Sequence, residues 1–153
     1  RKSVGWFMTF QANPQPLLSG NKMSIIVRNI KWIMLFAGVI TCTTFFAVIA
    51  PQDALLNMFG SGLTEPLANL VVRSWGFLIS IMGILLIYGA FNEDSRMLCV
   101  ITTGISKIGF LFLILIFGTD YIDKLWVTVV FDSIVVLTLA TYVVSVKRTV
   151  GKI

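Results

Sequence analysis

Three ionisable residues interrupt hydrophobic stretches of this chain: Arg73, Lys107 and Asp132. Each costs about 2.5–3.5 kcal/mol at the centre of a membrane helix, so each must face other helices and find a partner. Lys107 and Asp132 lie almost equally far from the turn at Thr119-Asp120, which places them level in a helical hairpin. Glu65 to Arg73 and Lys124 to Asp132 are equal steps from the charged loop edge, about 12 Å of helix rise. By that measure Asp132 is level with Arg73. One carboxylate is therefore expected to face two cations. Two readings of this candidate buried polar cluster stay open. It either locks three spans in register, because an unpaired charge in lipid is costly, or its formal surplus of one positive charge holds an anionic group.

Small and hydroxyl residues follow the charges. On the second span Arg73, Gly76, Ser80 and Gly83 keep helical spacing down one face, and the third carries Thr103 and Gly104 beside Lys107. Gly76, Ser80, Gly83 and Gly104 read as a helix-packing face, since small residues let membrane helices approach closely. Thr41, Thr43 and Thr44 are expected to bond to their own backbone.

Other chemistry is thinly represented. Histidine is absent, which removes His-ligated haem, most catalytic zinc sites and the commonest general base. Cys42 and Cys99 fall in different hydrophobic runs at different expected depths and read as apolar packing, not as a disulfide. The chain lacks Gly-x-Ser-x-Gly, a P-loop and His-Glu-x-x-His. A two-carboxylate mechanism has a single intramembrane carboxylate to draw on. No catalytic, cofactor-binding or metal residues are assigned, no cofactor is expected, and an enzyme is the least favoured class.

The elements that position these residues follow from composition. Of 153 residues, 57% are hydrophobic and 12% charged, where a soluble domain carries about a quarter charged residues. Such a chain cannot cover a water-facing surface, whereas hydrocarbon accepts apolar side chains on the outside of a bundle. Charge-poor stretches give an all-α membrane protein, an antiparallel bundle of four transmembrane helices at about 30–50, 67–91, 97–118 and 122–146. Residues 23–153 form this one domain. Residues 1–22, with Pro14 and Pro16, stand apart as a non-membrane segment, either interfacial through Trp6, Phe7 and Phe10 or foreign to a native start at Met23.

Arg28, Lys31, Arg96, Lys147, Arg148 and Lys152 collect on one side, while the other two loops hold Asp53, Glu65, Asp120, Asp123 and a single Lys124. Both termini are therefore expected in the cytoplasm. The net charge of +5 follows from this bias and does not point to nucleic acid. In the longest loop, Asp53 to Phe59 suits about two helical turns, with Leu55, Leu56, Met58 and Phe59 dipping into the interface before Gly60. Thr64 is placed to cap the second span, ahead of Pro66.

At Val71-Val72-Arg73-Ser74-Trp75-Gly76 a span opens with Arg before a glycine-rich face, after a loop that begins at Pro51. Over about residues 24–146 this resembles small four-helix bacterial membrane proteins of the DoxX-like and BphX-like kind. The resemblance implies a bundle in a bacterial inner membrane, often an accessory protein, and carries no catalytic residue across. The expected function is a small accessory or structural subunit packed against membrane lipids and other membrane-protein subunits or further copies of itself. The alternative is a transporter or binding protein for a small solute, ion or lipid, built on Arg73, Lys107 and Asp132.

Overall fold

The computed structural model describes residues 25–63 and 65–150, the last three by their backbone alone, and its elements are helical throughout. Helix α1 (Ile25–Cys42) runs through a 3₁₀ turn (Thr43–Phe45) into the short α2 (Phe46–Ile49). Then come α3 (Pro51–Phe59), α4 (Pro66–Phe91), α5 (Glu93–Phe117), a 3₁₀ turn (Thr119–Tyr121) and α6 (Ile122–Val150). Four stretches are long and apolar enough to cross a membrane: Ile25–Ile49, Pro66–Phe91, Glu93–Phe117 and Thr119–Lys147. Trp32, Phe36, Leu78, Phe112, Phe117, Ile134 and Leu137 stand exposed on their outer faces, as a hydrocarbon solvent allows.

The first and third spans begin about four or five residues before the expected points. Charge ends a match to hydrocarbon but does not end backbone hydrogen bonding, so Arg28 and Lys31 ride on α1. Helix α5 starts at a cap, where the Asn92 side chain accepts a hydrogen bond from the Ser95 amide at 3.2 Å. Glu93 and Asp94 in its first turn favour the same start through the helix dipole. Residues 1–22, Met23 and Thr64 lie outside the described residues, and so do the interface and capping expectations placed on them.

Around the bundle α1 packs on α4, α4 on α5, α5 on α6, and α6 returns to α1. The closest approach is between α1 and α4. A Cβ on Gly83 would stand 2.7 Å from Cys42 Sγ and 2.8 Å from the Gly38 carbonyl, and one on Gly38 would meet the Gly83 carbonyl at 2.8 Å. Gly76 abuts Ala47 in the same way, at 2.8 Å. The small face Gly76-Ser80-Gly83 thus turns to span 1, away from the charges it was expected to accompany. Gly104 departs further from expectation: nothing lies within 4 Å of where its Cβ would be.

One stretch of the bundle is filled by apolar side chains. Ile30, Met34 and Ala37 meet Leu86, Ala90, Cys99, Val100, Val135, Leu139 and Tyr142, all buried. Past this core stands α3, which Pro51 opens and Gly60 closes in the left-handed region at φ 73°. Its Ala54 and Leu55 are buried with Ala47 and Val72. Phe59 sets its ring 6.3 Å from Trp75 and 5.8 Å from Tyr121. Leu55 and Phe59 therefore pack on protein where lipid was expected, and Leu56 is the one that faces outward.

Candidate ligand cavity at Lys107 and Asp132

Lys107 on α5 and Asp132 on α6 form a buried ion pair, Nζ to Oδ1, with the residues 8% and 6% exposed. Their equal distance from the α5–α6 turn brings them level. The ammonium also lies 5.7 Å from the centre of the Phe131 ring. Removing one partner of such a pair leaves an uncompensated charge and costs about 3–5 kcal/mol.

Arg73 does not join them. The expected three-membered cluster resolves into a pair and a separate arginine, whose guanidinium donates to the Val48 carbonyl near the end of span 1. The cause is local to Ala50-Pro51. Proline has no amide hydrogen, so the helix cannot continue its ladder across that point and its last carbonyls need outside donors. Arg96 serves α4 likewise, donating Nε to the Gly89 carbonyl at 3.0 Å and a terminal nitrogen to Ala90 at 3.3 Å. Each arginine closes the C-terminal end of a span, where the helix dipole favours a cation.

Beside the ion pair is a cavity of about 470 Å³, a size typical of small-molecule sites. Span 1 contributes Thr41, Thr44 and Ala47, α3 contributes Ala54 and Met58, and α4 contributes Trp75, Ile79 and Met82. Thr103, Ser106, Lys107 and Phe110 come from α5, and Thr128, Phe131 and Asp132 from α6. The only charged members of this wall are Lys107 and Asp132, so it carries no net charge.

The hydroxyls along the wall divide into two sets. Thr43 and Thr44 donate to the Ile40 and Thr41 carbonyls at 2.7 Å, within the turn where span 1 tightens to 3₁₀ geometry. Ser80 donates to the Gly76 carbonyl at 2.8 Å. Thr41 and Thr103 differ. They are 6% and 0% exposed, and neither hydroxyl has a hydrogen-bond partner among the described residues. Thr41 thus departs from the expected backbone bond. A buried unsatisfied hydroxyl costs about 1–3 kcal/mol, which makes both residues candidates for contact with a ligand.

The sequence reading found Lys107 and Asp132 and passed over Trp75, Met82 and Thr41 as wall residues. Charge inside a hydrophobic run is visible along the chain, whereas a chamber lined by Thr, Met and Trp is a product of five elements converging. Cys42 and Cys99 are free thiols, the first with its sulfur 3.7 Å from the Ser80 carbonyl. Comparison with models of protein families, with curated proteins and with solved structures finds no match.

Proposed function

We propose that this chain is an integral membrane protein that binds a small, mainly apolar molecule inside its helical bundle. The carrying observation is the cavity with a buried ion pair and two unpartnered hydroxyls in its wall. A purely structural lock needs the Lys107–Asp132 pair but gives no reason for an adjoining chamber. Transport or storage of the bound molecule are both compatible with this chemistry.

In this reading the four spans run antiparallel and both termini face the cytoplasm, as the distribution of Arg28, Lys31, Arg96 and Lys147 against Asp53, Glu65, Asp120 and Asp123 favours. A bacterial plasma membrane is the setting that the four-helix resemblance suggests. Native mass spectrometry of the protein released from a mild detergent tests the proposal. The wild-type protein should carry a small apolar compound, at up to one per chain, and Thr128→Leu, which adds volume at the wall, should lose it. Identical, ligand-free spectra for both proteins would overturn the reading.

A subunit role is the second reading, favoured by a different surface. Between α5 and α6 runs an apolar groove that includes Val100, Gly104, Ile105, Val136 and Ala140. Gly104 leaves room there for the backbone of another helix. Gly104→Leu should then dissociate a complex seen in mild detergent, and a monodisperse monomer before the substitution would eliminate this role.

A further inference from the structure

We infer that the cavity selects an uncharged amphiphile, a hydrocarbon body bearing one hydroxyl or carbonyl group, and discriminates against the corresponding anion. This rests on the reading of the cavity as a ligand site and names the class of ligand it takes. The first ground is charge. An anion site here would need a cation in excess, and Arg73, which would supply it, is spent on the Val48 carbonyl and is not part of the wall. Lys107 is already matched by Asp132. A carboxylate entering this chamber would bring a charge into a low-dielectric wall of zero net charge and meet the Asp132 carboxylate there, which opposes binding.

The second ground is hydrogen-bonding capacity. Thr41 and Thr103 approach the chamber from different helices, are buried, and have hydroxyls without partners. A hydroxyl both donates and accepts, so it suits a neutral alcohol or carbonyl and needs no counter-charge. The remaining walls, Ile79, Met82, Phe110 and Phe131 among them, offer apolar surface and flexible thioether packing for a hydrocarbon body. A plain alkane would fill that surface and leave both hydroxyls unsatisfied. A neutral polar head on an apolar body satisfies every part of the wall.

Trp75 lies in the wall and reports on occupancy, whereas Trp32 and Trp126 face outward. The experiment uses the full chain with Trp6→Phe, Trp32→Phe and Trp126→Phe, in phosphatidylcholine nanodiscs, at a pH where fatty acids are ionised. Four bromine-bearing quenchers of equal chain length are compared: ω-bromoundecanol, methyl ω-bromoundecanoate, ω-bromoundecanoate and bromoundecane. The alcohol or the ester should quench Trp75 saturably, about tenfold more tightly than the ionised acid or the alkane, as expected for about two neutral hydrogen bonds. Thr41→Val with Thr103→Val should cut that preference about fivefold or more, with the helical circular dichroism unchanged. An acid or alkane that binds as tightly as the alcohol and ester, or a preference untouched by the two valines, would overturn the inference and leave a ligand site of another class. Quenching that only rises in proportion to quencher in the bilayer, for all four compounds, would overturn the ligand site itself.

Discussion

The bundle has two unlike parts built from the same four helices. Around Met34, Leu86, Val100 and Leu139 the space is filled by apolar side chains, and Gly89 and Ala90 allow the neighbours in so closely that a Cβ on Gly89 would stand 2.7 Å from that of Cys99. Around Thr41, Thr103, Lys107 and Asp132 the helices surround a chamber, with buried polar groups where the first part has leucine and valine. Inside a bilayer the hydrophobic effect does not draw helices together, because lipid tails are as apolar as leucine. Close packing and polar contacts must do it. The filled part uses the first device and the hollow part the second. A protein needing only to hold four helices together would have no use for the second arrangement, with its costs in desolvation and lost contact.

Substitutions that separate the two devices sharpen this contrast. The largest effect is expected at the ion pair. Asp132→Leu alone should cost about 3–5 kcal/mol in unfolding from detergent, because Lys107 is left buried without its partner. Lys107→Met added to it should recover most of that loss, and a double variant as unstable as the single one would mean the carboxylate does more than neutralise the lysine. Arg73→Ala comes next, at about 1.5–3 kcal/mol, since it strips a charged donor from the Val48 carbonyl. The same unfolding measurement reads it, and a neutral outcome would return that carbonyl to solvent or lipid headgroups.

Glycine replacements give the middle of the scale. Gly83→Leu must force α1 and α4 apart and should cost about 1–3 kcal/mol. Gly104→Leu, with open space around its Cβ position, should stay within about 0.5 kcal/mol in the isolated protein. The smallest change is expected for Thr103→Val, which replaces an unsatisfied hydroxyl by a methyl group of similar shape. Its stability should hold or rise by up to about 1 kcal/mol, while its hold on a hydroxyl-bearing ligand falls.

Much of the architecture was legible in the sequence because the bilayer imposes a simple rule: a span must be apolar for about 20 residues, and charge marks its edges. Pro51 and Gly60 likewise announced a short helix between the first two long ones. The level placement of Lys107 and Asp132 followed from counting outward from Thr119-Asp120. Arg73 misled because residue depth was treated as the whole of its geometry. Its rotation around α4, and the carbonyl freed by Pro51 on a different helix, are not written in hydropathy. Gly104 misled in a related way: a small residue permits close approach but does not supply a neighbour. The cavity was illegible for the same reason, since its wall is assembled from Thr, Met and aromatic residues that elsewhere in the bundle simply pack.

The contrast between filled and hollow parts is tested most directly by adding the same side chain to each and comparing thermal unfolding in one detergent. Ala90→Leu forces extra volume into the filled core, where Ala90 is fully buried, and Thr128→Leu adds it at the chamber wall. Ala90→Leu should lower the midpoint by about 2–10 °C, from an overpacking cost of about 1–3 kcal/mol. Thr128→Leu should leave the midpoint unchanged or raised. A fall of equal size in both proteins, or a greater fall for Thr128→Leu, would contradict the existence of a chamber at Lys107 and Asp132.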